Sequence, residues 1–288
     1  MSARWIPGYT TSCLAHHRLE DALRLLHAEG FNSAVITPDA AHLDPASPHF
    51  VADVERTRAV LGELGLVSLV ETGSRFLLDP SRKHFPTLLN EPELARQRVR
   101  FLRVACDLAT QLGANVVSLW SGSCPAEISA EQAWTRLREN LLPLLDDAAR
   151  QGLSLAFEPE PGMFVQTVAE WHELRDRVGR HQAFKLALDC GHVLATGEGD
   201  PAQVIRREFA HCAWIAIEDM RRGVHEHLPF GSGDLDLPAV VQALDETAFA
   251  GIVAVELPRD AHRGAAMLKA SRAALCAAGA SAVFQRRP

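Results

Sequence analysis

"LSLAFEPEPGMF", residues 153–164, carries a short apolar run directly onto two glutamates set between prolines. Proline cannot donate to a strand's hydrogen-bond ladder, so the spacing predicts a short buried strand that stops near Glu158. A strand that is apolar throughout, rather than alternating, is covered on both faces. That is the habit of a parallel sheet flanked by helices.

The same unit recurs on both sides of this stretch. Upstream, "WIPGYTT" leads into "RLEDALRLLHAEG", whose Leu23, Leu26 and His27 fall at helical spacing and whose Gly30 can stop it. "SAVITPD" precedes a helix over about 50–64. "LVSLVETG" precedes one that opens as a capping box, with Asn90 as cap, Glu93 three residues on and Pro92 in the first turn. "NVVSLW" precedes a helix over about 130–151. Downstream come a helix near 168–178, "FKLALD", a helix near 201–210, "WIAIED", a helix near 237–247, "IVAVEL" and an alanine-rich helix from about 261. Eight strand–helix pairs with no linker predict a single α/β domain over residues 1–288, a closed (β/α)8 TIM barrel. An open doubly wound sheet is the rival, but no G-x-G-x-x-G follows the first strand.

The 288 residues are 47% hydrophobic and 23% charged, enough for a sizeable core. Thirty-six acidic against 29 basic residues give a net charge of −7, and the basic runs Arg221–Arg222 and Arg286–Arg287 are short. A nucleic-acid partner is therefore not expected. The N-terminus lacks a signal-peptide pattern and no stretch is long enough to span a membrane. Six cysteines without a C-x-x-C pair predict reduced packing thiols in a cytoplasmic protein. His16, His17, His42, His49, His172 and His181 fall on helices or outer loops and are expected in solvent.

In such a barrel the active site forms at the carboxyl ends of the strands. Strand three ends in Glu71, strand four in Trp120, and strand five in Glu158 and Glu160. Strand six ends in Asp189 with His192 three residues on ("LDCGH"). Strand seven gives Glu218 and Asp219, with His225 and His227 in its loop ("VHEHLPFGSGD"), and strand eight gives Glu256. Any one of these is commonly a helix cap or a surface charge. Together they crowd one mouth with like charges, for which a divalent cation is the usual remedy. Glu158, Asp189 and Glu256 are the leading ligand candidates, with His225 and His227 beside them. Arg75, Lys83, His84 and Arg259 surround the mouth and suit an anionic or polyhydroxyl substrate. Trp120 is a wall for a sugar ring or a core residue.

These motifs resemble the xylose-isomerase-like barrel superfamily, which includes sugar isomerases, ketose 3-epimerases and the endonuclease IV group. In the epimerases a Mn, Co or Mg ion is held by Glu, Asp, His and Glu from strands five to eight, and the two glutamates move a proton. The resemblance thus implies Glu158, Asp189 and Glu256 as ligands, with Glu158 and Glu256 catalytic. The strand-seven histidine sits in a pattern like V-H-I-x-D; here "IAIED" puts Ala216 in its place. The endonuclease group holds additional zinc through positions matched by His192, His225 and His227.

The resulting expectation is a cytoplasmic isomerase or epimerase of a small polyhydroxyl substrate, using Mn, Mg, Co or Zn. Its metal ligands would be Glu158, Asp189, His192, His225, His227 and Glu256. Its substrate contacts would be Glu71, Arg75, Trp120, Glu218 and Arg259. The alternatives are a metal-dependent phosphoesterase and a barrel that binds metal or a metabolite without turnover. Barrels of this kind often form homodimers, although no interface stripe stands out.

Overall fold

The computed structural model describes residues 5–285, so the Arg286–Arg287 pair lies outside the described residues. In chain order the elements are β1 (Ile6–Thr10), α1 (Leu19–Ala28), β2 (Ser33–Ile36), α2 (Phe50–Leu64), β3 (Val67–Glu71), α3 (Pro92–Leu112), β4 (Val116–Leu119), α4 (Ala130–Arg150) and β5 (Ser154–Phe157). They continue as α5 (Val168–Arg177), β6 (Phe184–Asp189), α6 (Cys190–Thr196), α7 (Pro201–Glu208), β7 (Cys212–Ile217), α8 (Leu237–Glu246), β8 (Ile252–Val255) and α9 (Gly264–Ala277). The strands pair in sequence order, all parallel, and β8 closes on β1. The protein is a TIM barrel.

β5 stops where its prolines require. Glu158 N–H makes a last bond to Leu119 O at 2.8 Å, and Pro159 then has no donor to extend the ladder. Inside the barrel Trp214 packs in a cluster with Ala156, Ala187, Ala216 and Ala254 from β5, β6, β7 and β8. The Trp214 indole N–H donates to Ser118 Oγ at 3.1 Å, which satisfies its one polar atom. On the neighbouring strand β1, Gly8 leaves no room for a Cβ, which would lie 2.5 Å from Ser33 Oγ and against Ile252 and Ala254.

Three expectations need correction. α3 is not opened by an Asn90–Glu93 capping box. Pro92 sets the first turn and Glu91 becomes the N-cap, so Asn90 sits one residue too early. Its side chain accepts the Thr87 N–H at 2.7 Å instead. An extra helix, α6, follows β6 directly, and a 3₁₀ turn over Pro258–Arg263 delays α9 to residue 264. His42 is not in solvent: its ring is buried and Nε2 lies 2.8 Å from His17 O. Of the cysteines, Cys13, Cys106 and Cys190 are buried, whereas Cys124 is exposed.

Candidate active site

A cavity of about 300 Å³ opens at the carboxyl ends of the strands. It is lined by Glu71, Trp120, Glu158, His192 and Glu256, with His225 and His227 from the β7–α8 loop. Arg75, Lys83, His84, Glu160 and Arg259 complete its rim. The chain thus gathers its strand-end carboxylates and imidazoles in one place.

The β5–β7 side is built around Asp189. Its Oδ1 caps α6 by accepting the His192 N–H at 2.8 Å, and this leaves Oδ2 buried with no partner. The cap in turn fixes where the His192 ring falls. That ring is held by Nδ1, 3.1 Å from Pro159 O, which favours a proton on Nδ1 and a lone pair on Nε2. Nε2 is likewise buried without a partner.

Two sets of three ligand atoms lie within 4.8 Å of one another. One is Glu158, Asp189 and His192; the other is His192, His225 and His227. His192 belongs to both. Glu256 lines the same cavity but falls outside both sets. Glu218 is fully buried with both oxygens unpartnered, 3.7 Å from His227 Nδ1. It fits there only because residue 191 is glycine, since a Cβ would stand 2.1 Å from Glu218 Oε1.

The histidine loop is held by Asp219. Its Oδ2 accepts the N–H groups of Gly231 at 2.8 Å and Gly233 at 2.9 Å, and its Oδ1 accepts that of Leu235 at 2.9 Å. Its backbone also pairs with Leu228. Asp219 is therefore spent on the loop rather than offered to the cavity. Arg259 adds an outer tie, donating from Nη2 to His225 O at 3.1 Å.

Electrostatics agree with the crowding. Burial, then the charges of Glu256 and Asp189, push Glu158 well above the ordinary carboxylate range. Burial, then Glu71 and Asp189, do the same to Glu256, and burial with Asp189 raises Glu218. Burial lowers His225 to about 4 and His227 to about 3, so both rings are neutral near pH 7. Neutral imidazoles with unpartnered nitrogens and carboxylates that repel one another are the donor set a divalent cation requires. The residues present therefore fit such an ion.

On the β3–β4 side the carboxylate acceptors of Glu71 are already satisfied, while His84 Nδ1 is buried without a partner. Glu71 Oε2 accepts from Thr37 Oγ1 at 2.9 Å, and Oε1 accepts the Gly73 N–H. Burial still raises Glu71 to about 7. Trp120 is buried, with the Arg98 guanidinium 4.9 Å from its ring and His84 edge-on at 5.1 Å. Ala216 faces the barrel interior, opposite Asp189 and Ala254 in register, with no side chain that reaches the cavity.

Sequence reasoning passed over Arg98. Its side chain is buried and donates to the carbonyls of Pro86 at 2.8 Å, His84 at 3.1 Å and Thr72 at 3.5 Å. The available signal was a charge on the apolar stripe of α3, four residues after Leu94 and three before Phe101. Thr37 and Ser12, which supports Thr10 beside Cys13, were also passed over; a lone hydroxyl after a strand has no distinguishing spacing.

This barrel and its strand-end site define a known class. Residues 15–277 match the xylose isomerase-like TIM barrel family, and the chain belongs to that family. L-ribulose-5-phosphate 3-epimerase UlaE of Salmonella typhi is 24% identical over 201 residues, spanning 67% of this chain and 69% of that protein. A solved L-ribulose 3-epimerase shares the fold at a TM-score of 0.77 and 19% identity, covering 99% of this chain and 100% of that one. The IOLI protein, solved with a binding zinc atom, superposes at 0.76 with 18% identity over 98% of this chain and 100% of its own. Among the described residues no helix is long and apolar enough to cross a membrane.

Proposed function

We propose that this protein is a metal-dependent isomerase or epimerase of a small sugar or related hydroxy-carbonyl compound. The observation that carries the reading is the convergence of unpartnered buried nitrogens of His192, His225 and His227 in a cavity with Glu158 and Glu256, backed by the unpartnered Asp189 Oδ2 within ligand distance of Glu158 and His192. The epimerase names of the sequence relative and of one solved neighbour point the same way. A cavity of about 300 Å³ suits a small molecule rather than a polymer.

Glu158, Asp189, His192, His225 and His227 would hold the ion: Mn, Mg, Co or Zn. When bound, such an ion polarises a carbonyl and its neighbouring hydroxyl and so acidifies the adjacent C–H. Glu158 follows β5 and Glu256 follows β8, so they approach the cavity from different walls. Burial and neighbouring carboxylates raise both groups, Glu158 by Glu256 and Asp189 and Glu256 by Glu71 and Asp189. A two-base epimerisation would use one of them as the carboxylate that takes the proton from carbon and the other as the acid that returns it. Trp120 would form a flat wall beside the sugar and Glu71 would border its hydroxyls, whereas Glu218, expected as a substrate contact, is fully buried and does not line the cavity.

The test is incubation of the metal-loaded protein in heavy water with ketoses, aldoses, cyclitol ketones and their phosphates. NMR then follows both deuterium uptake at carbon and new product. Product that disappears in Glu256→Gln and in chelator supports the reading. One observation favours a second reading, a phosphoesterase: the three clustered imidazoles of His192, His225 and His227. No sugar product across the panel, with phosphodiester cleavage under the same conditions, would replace the first reading by the second.

A further inference from the structure

The β3–α3 loop folds as a closed unit over the cavity. His84 N–H donates to Arg75 O at 2.6 Å, so the two ends of the 75–84 segment meet. This neck brings Arg75 close to Lys83, the neighbour of His84, and both side chains line the cavity. The segment is braced internally. Asp79 accepts the N–H groups of Ser81 at 2.8 Å and Arg82 at 3.1 Å, and Gln97 Nε2 donates to Leu78 O at 3.2 Å. The Arg98 guanidinium holds its exit through the carbonyls of His84 and Pro86. Arg259 reaches the same cavity from the other side, after β8, and is anchored on His225 O.

These cations are not consumed by the carboxylates around them. Among the described residues, none of the ion pairs within 4.0 Å includes Arg75, Lys83 or Arg259. Two of the acidic groups in the cavity are engaged elsewhere, whereas Glu160 and Glu256 lie near Lys83 and Arg75 without closing an ion pair on them. Glu71 is bonded to Thr37 and Gly73, while Glu158 belongs to the cluster with Asp189 and His192. A braced loop that presents two unpaired cations, with a third opposite, is built to meet a negative charge brought in from solvent.

Resting on the sugar isomerase or epimerase reading, we infer that the substrate carries an anionic group, a phosphate or a carboxylate. Arg75, Lys83 and Arg259 grip that group at the rim, while the sugar's carbonyl end lies toward His192 and Glu158. Arg75 supplies a fork that suits two anionic oxygens, and Lys83 supplies a point charge.

The experiment is calorimetric titration of the metal-loaded protein with matched pairs: ribulose and ribulose 5-phosphate, xylulose and xylulose 5-phosphate, fructose and fructuronate. The anionic member of at least one pair should bind about tenfold tighter or better, with the advantage shrinking as salt is raised. Arg75→Gln and Lys83→Gln should each remove most of that advantage and leave the affinity of the neutral partner unchanged. Phosphate pairs against the uronate pair identify which anion is meant. Equal or tighter binding of the neutral sugars overturns the inference while the sugar reading stands. An anionic advantage that survives in the double variant also overturns it. If no sugar of either kind binds or is converted, the sugar reading fails, and inorganic phosphate added to chelator-treated protein decides the rest. Phosphate bound by the parent and lost in the double variant keeps the anion site; phosphate bound by neither removes it.

Discussion

The two sides of the barrel mouth use the same residue types for opposite ends. After β3, Glu71 is buried and each of its oxygens has a donor from the protein itself, Thr37 or Gly73. After β6 and β7, three imidazole nitrogens are buried without a partner, and Asp189 Oδ2 and the Glu218 oxygens face only one another and those imidazoles. A buried polar atom left unpaired costs on the order of 1–3 kcal/mol, so several in one place are stable only if something else completes them. The difference separates scaffold from socket. Burial and charge are alike on the two sides, and only the account of partners tells them apart.

The sharpest way to break this contrast is to remove the residue shared by both ligand sets. His192→Ala should lower bound metal from near stoichiometric to background, with affinity falling at least about a hundredfold. Elemental analysis and competition with a chromophoric chelator would measure it. Thr37→Val on the satisfied side should leave metal content unchanged. Full metal in His192→Ala would mean that the unpaired atoms do not form the socket.

Next in size is an effect of pH on the satisfied side. Glu71 holds its proton in the fold up to about pH 7, above the ordinary carboxylate value of 4.5. Its contribution to stability is thus fully present below about pH 4.5 and lost as pH rises through 7. For a fully buried group the loss is on the order of 3 kcal/mol. Glu71→Gln keeps the neutral form at all pH values, so denaturant unfolding of metal-free protein should show the variant gaining on the parent between pH 5 and pH 8. A parent and variant with parallel pH profiles would show that Glu71 ionises freely.

The smallest expected effect concerns the loop that carries two of the imidazoles. Asp219→Ala leaves three N–H groups without their acceptor and should cost about 2 kcal/mol of stability. Metal affinity should fall about tenfold, since Asp219 positions His225 and His227 without touching the ion. Asp219→Asn, which still offers one acceptor oxygen, should fall between. Unchanged metal affinity in a destabilised Asp219→Ala would show that the loop finds its place without this tie.

Much of this could be read directly from the chain. The apolar strands and their helices recur without interruption, so the barrel follows, and a barrel places Glu158, Asp189, Glu218 and Glu256 at one end by construction. What the sequence concealed lies in partners that are distant along the chain. Asp219 and Glu218 are adjacent and chemically alike, yet one is spent on Gly231, Gly233 and Leu235 while the other stays unpaired. Nothing local to "IAIED" distinguishes them. His42 was misjudged for the same reason, because its partner is a backbone carbonyl 25 residues earlier. Arg98 was different: its place on an apolar stripe was visible and signalled a buried charge.

The alanines inside the barrel carry a consequence for where a longer side chain can be accommodated. Ala156, Ala187, Ala216 and Ala254 share the interior cluster with Trp214, Val35, Leu69 and Ile252, so the small residues make room for the indole and its aliphatic neighbours. A histidine placed at 216 would overfill the layer, at a cost of about 1–3 kcal/mol, unless Trp214 shrank in the same step. Shrinking Trp214 alone would leave a void, although the hydroxyl of Ser118 would keep its bond to Ala156 O. Either change alone costs stability, and only the two together offset one another. A side chain long enough to reach the cavity from position 216 therefore competes with the indole for one space, whereas His225 and His227 reach it from a loop and do not.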